Sequence, residues 1–289
     1  MFISDKWEDY ELIDASDGER LERWGKYILR RPDPQIIWKN AKKSNLWNKA
    51  DAVYSRKGGG GEWVKRDVPE SWKISYGDLA FKIKPMGFKH TGLFPEQATN
   101  WDFCAELIKN AGRPIKVLNL FAYTGAASVC AARASAAMAG ASVCHVDAAK
   151  GMVAQAKENA ALSGLSDAPI RYIVDDCRKF IEREIRRGNT YDGIIMDPPS
   201  YGRGPSGEVW KLEDCIDDFI KLTSKLVSDK PLFMLVNSYT TGLSSSAIGY
   251  IMKQVLPAGE LDCGELMLRV KASGGLLPCG SSARYTFKK

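Results

Sequence analysis

From Lys116 onward the sequence alternates short apolar runs with helix-length stretches, and this alternation constrains the fold more than any other feature. "KVLNLF" leads into an Ala-rich segment over about 126–139, "SVCHVD" into "KGMVAQAKENAALSG", and "IRYIVDD" into a helical stretch over about 178–187. "YDGIIMD" precedes "LEDCIDDFIKLTSKLV", "PLFMLVNS" precedes a helix near 245–256, and "ELMLRV" and "ARYTFKK" read as closing strands. Such a rhythm predicts an α/β fold: a doubly wound, mainly parallel sheet with helices on both faces and crossovers of one hand. Ligands on sheets of this kind bind outside the carboxyl ends of the strands. Up to about Pro85 the pattern differs. Short strand-like runs ("YELIDASDG", "AVYSR", "EWVKR", "WKISYGDLAFKIKP") are broken by Asp17-Gly18, Pro32-Asp33-Pro34 and Gly58 to Gly61. A small antiparallel β domain over 1–85 is expected there, with the four glycines as a hairpin tip and the α/β domain over 86–289.

The strand ends carry the chemistry. After the first strand, Tyr123-Thr124-Gly125 makes a tight turn at a helix start, where backbone N–H groups face an anion or carboxylate. A dinucleotide site would need G-x-G-x-x-G; only Gly125 is present, so a cofactor without a diphosphate fits better. The second strand ends at Asp147, which can accept two ribose hydroxyls. The third ends "VDDCRKF", where Asp176 suits an adenine amino group and the Cys177 N–H the adenine ring. A strand-end Asp is more commonly a helix N-cap. Asp147 and Asp176 at successive strand ends, after the glycine turn and with Asp197 in Asp-Pro-Pro, argue for a site. In "YDGIIMDPPSYGRG" the apolar run reaches Asp197, and Pro198 and Pro199 then take the chain out of the sheet, since proline removes a ladder hydrogen bond.

These segments carry a resemblance. "NLFAYTGAAS", "HVDAAKGMVAQAKENAALSGL", "IVDDCRKFI" and "DGIIMDPPSYGRG" are similar to successive motifs of the class I S-adenosylmethionine-dependent methyltransferases. With "FKHTGLFPEQ" ahead of them, the set resembles the group of large-subunit ribosomal RNA methyltransferases that includes the cytosine-C5 and guanine-N7 enzymes. The resemblance spans roughly Phe88 to Leu256. It implies a Rossmann-like seven-strand methyltransferase sheet whose last strand is antiparallel, and S-adenosyl-L-methionine as cofactor. Phe121, Ala122, Tyr123, Thr124 and Gly125 would surround its methionine part. Asp147, with Ala148, would hold the ribose and Asp176 with Cys177 the adenine, while Phe94 and Gln97 would close over it. Asp-Pro-Pro followed by an aromatic resembles the motif of enzymes that methylate nitrogen on planar substrates. The Pro198 carbonyl would then meet a substrate amino group, Pro199 would hold the turn, Asp197 would order the site, and Tyr201 would stack on an extruded base. Cytosine-C5 chemistry needs a thiolate; Ser200 and "VNSYTTG" stand where that group's cysteine enzymes carry theirs.

Composition narrows the partners. The seven cysteines are scattered without a C-x-x-C pair, and there are only two histidines, so neither a disulfide framework nor a metal site is expected. No apolar run approaches the roughly 18 residues needed to cross a bilayer, and "MFISDKWEDY" is too acidic and polar for a signal peptide. A cytoplasmic protein with reduced thiols is the expectation. Between Arg23 and Arg66 twelve Lys or Arg stand against three acids, interleaved with six Trp or Tyr. Such a mixture suits RNA, with cations on phosphates and rings on unpaired bases. It equally suits the core of a small β domain with lysines solvated around it. Methylation of a base nitrogen in RNA, of the ribosomal class, is the leading expectation. A protein side chain or small molecule is the alternative substrate, and a non-catalytic methyltransferase-fold binding subunit the alternative of another class. Oligomeric state is left open.

Overall fold

The computed structural model describes residues 1–57, 60–203 and 209–288, with the side chains of Lys57 and Arg203 left out. The chain folds as two compact units, one comprising Asn100–Glu265 and Gly280–Lys289 and the other Phe2–Thr99 and Leu266–Cys279. The smaller unit thus runs past Pro85 and takes in a segment from near the C-terminus.

In the larger unit, β9 (Lys116–Leu120), β10 (Ser142–Asp147), β11 (Ile170–Val174), β12 (Gly193–Met196) and β15 (Phe233–Ser238) run parallel. Helices α2 (Ala126–Ser135), α3 (Lys150–Leu162), α4 (Cys177–Arg186), α5 (Leu212–Ser224) and α6 (Ser245–Val255) alternate with them. Every residue of β12 and β15 is buried, as expected for strands covered on both faces, and this is why they read as unbroken apolar runs. Helix α1 (Ala98–Lys109) lies outside the alternation legible in the sequence; its buried positions include Trp101, Cys104 and Ile108, at helical spacing. Core residues such as Leu118, Phe180, Ile194, Phe219, Met234 and Tyr285 form one cluster.

The large sheet has the order β1-β16-β17-β15-β12-β9-β10-β11, where β1 is Phe2–Ser4, β16 Gly259–Arg269 and β17 Leu276–Phe287. From β16 to β11 this is the expected seven-strand arrangement, with β17 antiparallel to β15. An eighth strand, β1, adds in parallel to β16 through Phe2↔Leu266 and Ser4↔Leu268. Because β9 has β10 on one side and β12 on the other, the connections reverse direction there, and the switch point lies at the carboxyl ends of β9 and β12.

The smaller unit is mostly antiparallel, as expected: β2 (Tyr10–Ser16), β3 (Glu19–Trp24) and β4 (Tyr27–Pro32) form a meander, and β5 (Ala52–Lys57) pairs with β6 (Gly60–Arg66). One pair departs from the expectation: β4 and β5 are parallel, joined by the long 33–51 connection. Strands β7 (Trp72–Tyr76) and β8 (Leu79–Ile83) make a separate hairpin. Lys57↔Gly60 closes the β5–β6 ladder; Gly58 and Gly59, in the expected tip, lie outside the described residues.

Candidate active site

The register of the larger sheet aligns the predicted residues of the first, second and fourth strand ends. Leu120 pairs with Val146 on one side and Met196 on the other, so Phe121, Asp147 and Asp197 are the next residues on three adjacent strands. The loop 121–125 between β9 and α2 is strained. Phe121 and Tyr123 sit at φ 54° and 50°, a left-handed conformation uncommon for aromatic residues, and Gly125 at φ 82°. Strain of this kind costs about 1–3 kcal/mol per residue and persists only where surroundings enforce it. Here the enforcement is visible. The Tyr123 N–H donates to Asp147 Oδ2 at 2.8 Å, Phe121 N–H to Cys177 Sγ at 3.4 Å, and Ala122 N–H to Val146 O at 3.1 Å. At Gly125 a Cβ would lie 2.6 Å from the Ala156 Cβ, so only glycine lets α2 approach α3 this closely.

Asp147 also accepts from the Ala149 N–H through Oδ1, at 2.8 Å. Its carboxylate is half-buried and pinned by one backbone donor per oxygen. Each oxygen keeps a second lone pair, which suits it to a pair of hydroxyls. Ala148 beside it is exposed. Asp176 is exposed and caps α4, its Oδ1 accepting from Lys179 N–H at 2.9 Å, so the commoner role of a strand-end Asp is present here. Cys177 is 4% exposed, and burial pushes its thiol well above the ordinary cysteine range. Burial also raises Cys104, Cys263 and Cys279, and takes Cys144 up to about 11.

The Asp-Pro-Pro turn is braced by a residue that sequence reasoning missed. Trp210, on β14 (Val209–Lys211), which pairs with β13 (Tyr201–Arg203), donates from Nε1 to Pro199 O at 2.7 Å. Its ring packs against Phe121 at 5.8 Å and Phe219 at 5.5 Å, tying the turn to the strained loop. The available signal was an aromatic immediately ahead of α5. Ser200 O accepts from Leu212 N–H at 3.0 Å. Between these occupied carbonyls and the strand, the Pro198 carbonyl accepts no hydrogen bond from the described residues. Tyr201 is 52% exposed; Gly204, which ends the motif, lies outside the described residues.

Phe94 and Gln97 belong to the smaller unit and flank a 3-10 turn, Pro95–Gln97. Gln97 is buried and its N–H donates to Phe94 O at 3.1 Å; the Phe94 ring meets His90 edge-on at 5.4 Å. Pro95 O is held by Ser4 Oγ at 2.7 Å and Trp7 Nε1 at 2.9 Å.

The aromatics of the 23–66 stretch are mainly structural. Trp24, Trp47 and Tyr54 are buried, and Trp38 and Trp63 direct their indole N–H groups to Ala15 O and Met86 O, each at 2.8 Å. Lys42 lies 4.3 Å from the Trp47 ring centroid and pairs with Glu19 at 2.7 Å. Lys39, Lys43, Lys49, Lys65 and Arg66 are exposed. Among the described residues no group of His, Cys, Asp and Glu is placed to hold a metal, and no helix is long and apolar enough to cross a membrane.

Known proteins fit this geometry. A family model described as S-adenosylmethionine-dependent methyltransferase matches residues 37–256. The "Ribosomal RNA large subunit methyltransferase K/L" of Shewanella baltica (strain OS155 / ATCC BAA-1091) is 36% identical over 150 residues, 51% of this chain and 19% of that protein. The chain therefore spans about a fifth of that curated relative's length. A crystal structure of the SAM-dependent methyltransferase from Agrobacterium tumefaciens is 38% identical, with a TM-score of 0.91 over 99% of this chain and 93% of the other. A methyltransferase solved in complex with SAH matches at 20% identity and a TM-score of 0.71, over 98% of this chain and 76% of that one, a likeness of fold alone. With the family model covering most of its length, the chain belongs to the S-adenosylmethionine-dependent methyltransferases.

Proposed function

We propose that this protein transfers a methyl group from S-adenosylmethionine to a nitrogen atom of a base in RNA, most specifically ribosomal RNA. The observation that carries the nitrogen reading is the Pro198 carbonyl: it accepts no hydrogen bond from the described residues, while the next two carbonyls of the turn are taken by Trp210 and Leu212. An open carbonyl at the switch point accepts an N–H from the substrate and turns that nitrogen's lone pair toward the donor. The relative named for large-subunit ribosomal RNA supports the substrate class.

The bound cofactor supplies an electrophilic methyl group on a sulfonium sulfur. Asp147 holds its ribose hydroxyls, Asp176 and the Cys177 N–H hold its adenine, and the loop 121–125 encloses its methionine part. Asp197 keeps the turn in place, and Tyr201 stacks on the extruded base. Holding donor and acceptor in line supplies much of the rate, so no covalent enzyme intermediate is needed. Thiols held protonated by burial, Cys177 among them, argue against the thiolate route to carbon. Seven free cysteines suit a reducing compartment and support action in the cytoplasm.

The test is incubation with tritiated cofactor and separate pools of RNA, protein and metabolites from the native cell. Label in the RNA pool, traced by nucleoside analysis to an N-methylated base, is the expected result. Label confined to protein or metabolites would remove the RNA assignment, and a 5-methylcytosine product would remove the nitrogen.

A further inference from the structure

Arg284, on β17, is 9% exposed, with its guanidinium 4.9 Å from the Phe103 ring centroid. Its Nε donates to Asn100 Oδ1 at 2.8 Å, and Ser282 Oγ donates to the same oxygen at 3.3 Å. Asn100 Nδ2 in turn donates to Asn237 Oδ1 at 2.9 Å. Both asparagines are buried, 1% and 2% exposed.

The chemistry of the chain fixes its direction. An amide side chain is ordinarily free to turn over and exchange its oxygen for its nitrogen. Arginine is a donor only, so the atom of Asn100 facing Nε must be the oxygen. Asn100 then presents nitrogen to Asn237, which must present oxygen back. The remaining limb of Asn237 therefore carries two N–H donors. Burial lowers the Arg284 guanidinium to about 10, which still leaves it charged at neutral pH, so the direction does not reverse under working conditions.

Register places that limb. Val236 of β15 pairs with Met196 of β12, so Asn237 and Asp197 are the next residues on adjacent parallel strands, with side chains on the same face of the sheet. We propose that Arg284 and Asn100 are positioning residues that set the Asn237 amide so that its N–H donors serve the Asp197 carboxylate, fixing the Asp-Pro-Pro turn for methyl transfer. The inference rests on the placement of the acceptor site at that turn. A cationic anchor suits the task better than a neutral one, since a hydroxyl or amide in its place could itself turn over.

The near-isosteric Asn100→Asp separates positioning from mere packing. A carboxylate at 100 keeps and strengthens the bond with Arg284, but it only accepts. Asn237 must then turn its nitrogen toward residue 100 and its oxygen toward Asp197. The expected result is a thermal midpoint at or above the parent's, unchanged cofactor affinity by calorimetry, and kcat for methyl transfer lowered roughly ten- to a hundredfold. Asn237→Ala, which removes the donors without adding a charge beside Asp197, should lower kcat by the same factor with cofactor affinity unchanged. Unchanged kcat in Asn100→Asp, or losses of activity that only follow losses of stability in both variants, would overturn the proposal. The parent is assayed in parallel on all three pools. If it labels protein or metabolite instead of RNA, the substrate reading fails and the relay is judged by the same kcat ratio on that pool.

Discussion

Both units carry carboxylates at strand positions, but they use them in opposite ways. In the smaller unit Glu22 is fully buried and enclosed by its own chain. Arg31 holds it through two bonds at 2.7 and 2.8 Å, Tyr10 donates to it at 2.9 Å, and Arg20 lies at 3.3 Å. Burial alone would raise this carboxyl; Arg31 and Arg20 overcome that and hold it at about 2. In the larger unit Asp147 and Asp197 sit half-exposed where their strands end, and Asp147 is held only by backbone N–H groups. One set of charges is closed off by arginines, and the other stands at the strand ends, with Asp147 oriented by backbone donors. The difference teaches that a charged residue's neighbours, more than its charge, separate a structural ion pair from a candidate binding group.

The largest effect should come from breaking the closed set. Glu22→Ala leaves Arg31 buried without its carboxylate and Arg20 with Asp33 alone at 3.4 Å, which costs about 3–5 kcal/mol of stability, measured by urea unfolding. The folded pKa of Glu22 lies below its unfolded value of 4.5, so its contribution is complete above pH ~4.5 and is lost as pH falls toward about 2. The parent should therefore lose stability across that window, and the variant should lose less. Equal acid sensitivity in the two proteins would mean that Glu22 is not the closed charge described.

Next come the candidate site residues at the strand ends. Asp197→Ala and Tyr201→Ala should each lower turnover by roughly a hundredfold while leaving stability and cofactor affinity near the parent's. If either variant unfolds as Glu22→Ala does, the contrast between the units fails for that residue. Asp147→Ala should weaken cofactor binding by at least about tenfold in calorimetry, because each charge-assisted bond removed contributes on the order of 1.5–3 kcal/mol. Unchanged affinity would remove Asp147 from the site.

The smallest effect concerns the exposed cations of the smaller unit. Reversing charge at Lys43 and Lys49 should weaken RNA binding and flatten its salt dependence, by about 0.7 in log–log slope for each phosphate no longer neutralised. Cofactor affinity should not change. Lys42, paired with Glu19 over Trp47, belongs to the closed set and is left out of this variant. Identical RNA affinity at every salt concentration would show these lysines to be solvated surface and nothing more.

How much of this the sequence disclosed follows from the range of the interactions. The α/β rhythm and the acids at strand ends are local signals: a buried parallel strand is an apolar run, and the residue that follows it is named by position alone. The Asp-Pro-Pro turn was legible because proline acts on its own backbone. Trp210 was not, since its bond to Pro199 crosses residues 200–209, and a tryptophan before a helix has many ordinary uses. The basic, aromatic stretch from 23 to 66 stayed open between a stacking face and a core, because composition does not say which way a ring points; Trp24 and Trp47 point inward. Glu22 and Arg31 look like any strand charges until β3 pairs with β4. The relay from Arg284 to Asn237 joins residues far apart in sequence, which no window of single-chain pattern spans.

The pairing of β1 with β16 has a consequence for how the chain is made. Phe2 pairs with Leu266, a partner synthesised about 260 residues later. At a translation rate of ~5–20 residues per second, the first strand waits roughly 10–50 s for its neighbour to leave the ribosome. Domains that finish folding in order from the N-terminus escape such a delay. Here a segment made about 260 residues before its partner is among the last to find its place, and until then the nascent chain carries an unpaired strand that a chaperone has time to meet.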